Sequence, residues 1–341
     1  MAPLLPTISN IYASLHESPN GPGDARPTAF QIIKDNDLIG KLSDKVFLVT
    51  GGTNGLGVDV VRQLAKTGAT VFFTARDAEK GEKVKQDILE VILMDLRNLQ
   101  SVKKGAEDFM RRSENLNVLV NNAGIALTPY GLTEDGFEQQ FGVNHLAHFY
   151  LFQLLKPLLL RSSSAEFNSR IISVSSSAHT FGSVFIGNYN LENIEGGYTP
   201  FAGYAAAKTA NIWFATELER RYGRQGLHGI SVHPGGILTG LQRYHDPSIV
   251  PMLEQYLKMD HISKAMKSIE QGAATTVLAA VGRSYEGKGG FYMEDCGISS
   301  PMPDDAPMGS PGFKPWAYEE EGEKQLWVDS LNMIGMKEDT E

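Results

Sequence analysis

The sequence predicts an α/β protein built as one doubly wound domain, a seven-stranded parallel sheet with helices on both faces. Three observations predict it. Seven short apolar runs rich in β-branched and aromatic residues recur from Lys45 onward, the segments between them carry helical spacing, and a glycine-rich turn joins the first run to a helix.

Residues 1–40 hold Pro3, Pro6, Pro19, Pro22 and Pro27 with Gly21 and Gly23, and no sustained period. They read as an N-terminal extension with one short helix at 29–38. The apolar runs follow at 46–50, 70–75, 91–95, 118–121, 171–175, 230–233 and 290–293. Between them Leu99, Val102, Ala106, Phe109 and Met110 fall at i, i+3, i+7, i+10 and i+11, the stripe of an amphipathic helix. Gly68 stands where a C′ glycine ends the helix carrying Val60, Val61 and Leu64. The catalytic domain is therefore expected at 41–300. Residues 301–341 read as an acidic tail, with Glu319, Glu320, Glu321 and Glu323 ahead of an amphipathic piece at Leu326, Trp327 and Leu331.

The chain has 341 residues and a formal charge of −9, and ten acidic against three basic side chains in 301–341 put −7 of it in the tail. The nearly neutral body carries only basic pairs such as Lys103-Lys104 and Arg220-Arg221, which argues against a nucleic-acid partner. A single cysteine, Cys296, forms no internal disulfide, and no Cys/His set has zinc spacing, so a metal-free site in a reducing compartment is expected. Residues 1–20 lack the basic start and apolar stretch of a signal peptide. The most apolar window, 149–160, is broken by Lys156 and Pro157 and is too short to span a bilayer. The expectation is a cytoplasmic protein without a transmembrane segment.

The first run feeds directly into Thr50-Gly51-Gly52-Thr53-Asn54-Gly55-Leu56-Gly57 and then a helix. In that order glycines let the backbone turn, admit a pyrophosphate against it and aim a helix N-terminus at the anion, as in Rossmann-type nucleotide folds. Gly51, Thr53, Asn54, Gly55, Leu56 and Gly57 are thus candidate cofactor contacts, against the plainer reading of a tight turn. No P-loop Lys-Ser/Thr follows, which disfavours triphosphate hydrolysis. Arg76 follows the second run, where an NAD-preferring fold places an acidic residue for the ribose hydroxyls. A guanidinium there suits a 2′-phosphate and predicts NADP(H), a solvated arginine being the alternative. Asp95 reads either as an acceptor for the adenine amino group or as a helix N-cap.

Tyr204 and Lys208 are separated by three alanines. On a helix the two side chains stand one turn apart on the same face. The ammonium is then expected to lower the phenol's pKa so that it exchanges a proton near neutral pH. The small residues between them let a large ligand approach.

Together these residues resemble the short-chain dehydrogenase/reductase family, in the branch with T-G-x-x-x-G-x-G and Y-x-x-x-K motifs, over residues 41–300. The likeness extends to Asn121-Asn122-Ala123-Gly124, to Asn144 within 142–148, to the serines of 171–176 and to Pro234-Gly235. Segments 143–149 and 175–179 are most similar to the retinol dehydrogenase and WW-domain oxidoreductase group, and 29–45 resembles its fungal members. The resemblance implies roles. Tyr204 would be the general acid in ketone reduction and the base in alcohol oxidation, and Lys208 would steady the phenolate and hold the nicotinamide ribose. One of Ser175 and Ser176, with Ser176 favoured by alignment, would donate a hydrogen bond to the carbonyl. Asn144 would orient a relay water behind Lys208, a helix kink or capping role being the alternative. Asn122, Ala123 and Gly124 would border the cofactor ribose, while Pro234, Gly235, Ile237 and Thr239 would approach the nicotinamide amide and phosphates. Family members commonly form homodimers or homotetramers. His145, His148, His179 and His233 have no carboxylate or thiol set to complete a metal site and read as packing residues.

Two stretches depart from short family members. Residues 77–94 are unusually short, which bears on the adenine side. The span between Ser176 and Tyr204 is long, carries Phe181, Phe185, Tyr189, Tyr198 and Phe201, and is expected to wall the substrate cleft. A second wall, a lid at about 238–268, holds Met252, Leu253, Tyr256, Leu257, Met259 and Met266, a stripe that equally suits core. The expected activity is NADP-dependent interconversion of a ketone or aldehyde and an alcohol on a moderately large apolar molecule, such as a secondary-metabolite intermediate. The alternative is a non-catalytic NADP(H)-binding regulatory protein, disfavoured by retention of all four catalytic positions. A nucleotide-sugar epimerase is disfavoured because Gly51 and Gly55 enclose three residues rather than two.

Overall fold

A computed structural model of the chain describes residues 6–85 and 89–338, so that Pro3, Asp339, Glu341 and residues 86–88 of the short adenine-side stretch lie outside the described residues. The strands are β1 (Val46–Val49), β2 (Thr70–Ala75), β3 (Leu89–Leu93), β4 (Val118–Asn121), β5 (Ser169–Val174), β6 (Leu227–Val232), β7 (Phe291–Glu294) and β8 (Gly297–Ile298). The helices are α1 (Ala13–His16), α2 (Ala29–Asp35), α3 (Leu56–Ala65), α4 (Ala78–Val84), α5 (Leu99–Arg112), α6 (Gln139–Phe141), α7 (Ala147–Ser162), α8 (Pro200–Tyr222), α9 (Val250–Leu257), α10 (Asp260–Ala265), α11 (Ile269–Val281) and α12 (Glu320–Met333).

One sheet runs in the order β3-β2-β1-β4-β5-β6-β7-β8, with β1 to β7 parallel. The expected seven parallel strands therefore gain an eighth, two residues long and antiparallel to β7. Asp295 and Cys296, at φ +48° and +57°, fold the chain back between them. The third strand lies two residues earlier than its apolar run, because past Leu93 only the Met94 N–H still bonds the β2 edge, at Ala75 C=O, 2.9 Å. The order reverses between β1 and β4, and a doubly wound sheet opens its ligand crevice at that point, beyond the carboxyl ends of the strands.

Alternation along the strands sorts the core. Phe47, Val49, Val118 and Val120 join Val60, Val61 and Leu64 of α3 and the apolar side of α11 on one face. Leu48 and Leu119 join α5, α7 and Phe214 of α8 on the other. Helix starts follow local chemistry: Asn98 accepts from Ser101 N–H ahead of α5, Thr199 caps α8 with Pro200 in its first turn, and Ser268 with Gln271 forms a capping box for α11.

Both ends of the chain pack on this layer structure. Ala29, Ile32 and Ile33 of α2 are buried in the α3/α11 core. On the opposite face Trp327 of α12 is 3% exposed, with ring centroids 5.0 Å from Phe149, 5.9 Å from Phe152 and 6.0 Å from Phe214. Arg220 of α8 bonds Glu323 at 2.6 Å, so part of the acidic run is paired with the body. No helix among the described residues is long and apolar enough to cross a membrane.

Candidate active site

At the carboxyl end of β1 the chain turns through Gly51 at φ +70° and Gly55 at φ +54° into α3. A Cβ on Gly51 would stand 2.9 Å from the Ala123 Cβ, and one on Gly57 would collide with the Gly51 carbonyl. Side chains are excluded at these two positions, where backbone lines the crevice. Gly55 caps α3 without a side-chain hydrogen bond, which leaves the first-turn N–H groups for an anion. These features fit a dinucleotide pyrophosphate. Every residue expected to hold a cofactor, from Gly51 through Arg76, Asp95, Asn122, Ala123, Gly124, Tyr204, Lys208, Pro234, Gly235 and Ile237 to Thr239, lines this one cleft.

Thr50, which sequence reading passed over, ties the cleft together. Its hydroxyl oxygen accepts from Asn122 N–H at 2.9 Å and Ala123 N–H at 3.0 Å and lies 2.9 Å from His148 Nε2. His148 Nδ1 is 3.0 Å from the Asn144 carbonyl, which can only accept, so that nitrogen carries the proton and Nε2 accepts from Thr50. Burial pushes the His148 pKa down to about 4.

At the adenine end Arg76 donates to the Tyr244 hydroxyl at 2.9 Å, and the Arg243 guanidinium lies 4.6 Å from the Tyr244 ring centroid. Arg97 pairs with Asp95 at 2.8 Å. Burial raises the Asp95 pKa, but hydrogen bonds from Arg97 outweigh it and hold the carboxyl below its usual range. The N-cap reading of Asp95 is overturned, because Asn98 caps α5. Arg97, Arg243 and Tyr244 were missed in the sequence; the only signal was their nearness to Asp95 and Thr239.

The catalytic candidates meet at the other end. Ser176 and Tyr204 line the cleft together, and the Ser176 hydroxyl accepts from Ala178 N–H at 3.1 Å. Ser175 instead donates to the Lys208 carbonyl at 2.7 Å, a bond that fixes α8 against β5. Lys208 Nζ lies 5.6 Å from the Tyr204 ring centroid and donates to the Val174 carbonyl at 2.8 Å. Burial lifts Tyr204 to about 12 against the lowering effect of Ser176, and burial drops Lys208 to about 7. The expectation that Lys208 lowers the phenol is therefore not met in this structure: desolvation acts on both groups and favours their neutral forms.

Asn144 does not line the cleft. It lies in a π-helical stretch, Gly142–Leu146, between α6 and α7, and its amide clasps Ile125 through both N–H and C=O at 2.9 Å each. The widened turn is a local helix irregularity at Asn144. His145 Nε2 reaches Ser330 Oγ of α12 at 3.0 Å, and His179 Nδ1 donates to the Ser176 carbonyl at 2.7 Å. Among the described residues no group of three or more His, Cys, Asp or Glu could hold a metal ion.

The walls differ in kind. The insert after Ser176 is held from behind, with the Tyr198 hydroxyl 3.1 Å from buried Glu138 and accepting from Gln140 at 2.8 Å, and with Trp316 donating to the His179 carbonyl at 2.8 Å. In the stretch 238–266 Ile262 of α10 is buried, whereas α9 has no buried residue and Leu238, Met252 and Met259 are exposed.

A family model for short chain dehydrogenase matches residues 45–190. Short-chain dehydrogenase/reductase prx1 of Penicillium roqueforti is 47% identical, covering 98% of this chain and 99% of that protein. Retinol dehydrogenase 11 of Mus musculus is 32% identical over 88% and 89% of the two chains. The solved Pseudomonas aeruginosa RhlG/NADP active-site complex is 26% identical with a TM-score of 0.56, covering 74% of this chain and 98% of that one. Fold and site define an oxidoreductase built on a nicotinamide-dinucleotide cleft. The chain belongs to the short-chain dehydrogenase/reductase family, with fungal and retinol dehydrogenase relatives as its motifs implied.

Proposed function

We propose that the protein is an NADP(H)-dependent carbonyl reductase, or alcohol dehydrogenase in reverse, acting on a moderately large apolar ketone, aldehyde or alcohol. The observation that carries the reading is the convergence of Ser176, Tyr204 and Lys208 at the end of a cleft whose other end is framed by Arg76, Arg97 and Arg243. NADPH, when bound, supplies the hydride. A substrate carbonyl oxygen seated between Ser176 and Tyr204 would accept from both hydroxyls, so charge developing on it is met by two donors. With its pKa lifted to about 12, Tyr204 holds its proton at neutral pH, the form that donates to a nascent alkoxide. The guanidinium of Arg76 supports NADP(H) over NAD(H), and the solved relative named above is an NADP complex. Residues 238–268 would serve as the substrate lid: Thr239, Leu241 and Tyr244 at its start line the cleft, and the exposed Leu238, Met252 and Met259 that follow on the same stretch would suit an apolar ligand.

The test is consumption of NADPH by purified protein across a panel of aromatic and alicyclic ketones. Tyr204→Phe should lower kcat/KM by about 10³-fold while NADPH binding, read by fluorescence, persists. Reduction should be nearly flat from about pH 6 to 9, because the phenol stays protonated, whereas alcohol oxidation should climb with pH as phenolate forms. A Phe variant as active as the wild type would refute the assignment.

A further inference from the structure

The segment 237–266 leaves the body at Gly236 and returns at Lys267, and Lys267 N–H donates to the Gly236 carbonyl at 2.8 Å. Its neck is therefore closed by a backbone bond, as in a compact surface loop with adjacent ends. The returning side of that neck is held by Arg26, far away in sequence and only 4% exposed. Arg26 donates to the carbonyls of Ala265 at 2.8 Å, Met266 at 2.6 Å and Lys264 at 3.3 Å, the chain end of α10, and to Gly21 at 3.2 Å. Asp24 fixes the guanidinium through Nε at 2.9 Å, and Gly21 N–H adds a bond to Lys264 C=O at 2.8 Å. Gln271 of α11 closes the set by donating to Asp24 and to the Arg26 carbonyl, at 2.9 and 3.2 Å.

We infer that residues 20–26 are a clasp on the lid's return hinge, with Arg26 as the positioning residue that sets how closely the lid sits over the substrate. A guanidinium is suited to this: it offers several donors in one plane to carbonyls that a helix end leaves unpaired, and charge-assisted bonds out of water are strong. The neighbouring residue carries the restraint inward. Lys267 is 4% exposed, reaches Asp295 at 2.7 Å, and underlies Gly235, where a Cβ would meet its side chain at 2.7 Å. The inference rests on the lid assignment proposed above.

The test combines amide hydrogen exchange with steady-state kinetics on full-length Arg26→Ala and Arg26→Lys. In Arg26→Ala, exchange across 259–267 should quicken by about tenfold or more while β4, β5 and β6 keep their protection, as expected for local opening. The KM for the larger ketones should rise by about tenfold with kcat and NADPH affinity within about threefold, since the hydride and proton steps are untouched. Arg26→Lys, which keeps the charge but loses the fork, should show the same local pattern at smaller amplitude and decides the matter if the alanine variant does not fold. Unchanged exchange at 259–267, or acceleration spread evenly over the sheet, overturns the clasp. Exchange and NADPH binding need no substrate, so they judge the clasp even if Tyr204→Phe has refuted the reductase reading.

Discussion

At the phosphate end of the cleft, backbone lies against backbone. Gly51 is pressed on Ala123, Gly57 on the Gly51 carbonyl, and Thr50 bonds the first turn after β4. In the stretch 238–266, proposed as the lid, α9 has no buried residue and Leu238, Met252 and Met259 are exposed. One half is held by backbone packed on backbone, and the other, if it is the lid, is free to adjust to what it covers.

Substitutions can break this contrast, beginning where the two halves meet. Ser176→Ala should cut kcat by about 10²–10³-fold, the loss of one oxyanion donor, whereas Ser175→Ala should cost less than about tenfold because that hydroxyl serves the Lys208 carbonyl. Equal losses in stopped-flow NADPH oxidation would remove the division of labour between them. In the rigid half, Arg76→Ala should raise the KM for NADPH by about tenfold and leave that for NADH unchanged, a ratio read directly from parallel assays. The smallest effect belongs to the open half. Met252→Ala should move the melting temperature negligibly, as a surface change of less than about 0.5 kcal/mol, while altering KM among ketones of different size. A large thermal shift would mean that the lid is core after all.

The contrast also explains what could be read from sequence. The glycine loop and the Tyr204–Lys208 pair are local devices, in which helix geometry and the absence of Cβ atoms dictate the arrangement within eight residues. The choice between Ser175 and Ser176 is made by the Lys208 carbonyl, which only the docking of α8 on β5 brings near. β8 escaped notice because two residues carry no period and its turn uses positive φ at Asp295 and Cys296, neither of them glycine. The pKa of Tyr204 was misjudged for a related reason: spacing shows that Lys208 is close, but the depth of burial that raises the phenol belongs to the whole fold. Likewise Arg26 has no motif, since its partners lie some 240 positions along the chain.

The seating of Trp327 among Phe149, Phe152 and Phe214 has a consequence for the making of the protein. Synthesis runs from the N-terminus, so β1 to β7 and both long helices exist before α12 emerges. Until then one aromatic face of the sheet's helical cover is open to water and to other nascent chains. A chain cut short before α12 would have its glycine loop and the Tyr204–Lys208 pair complete but this flank unsealed.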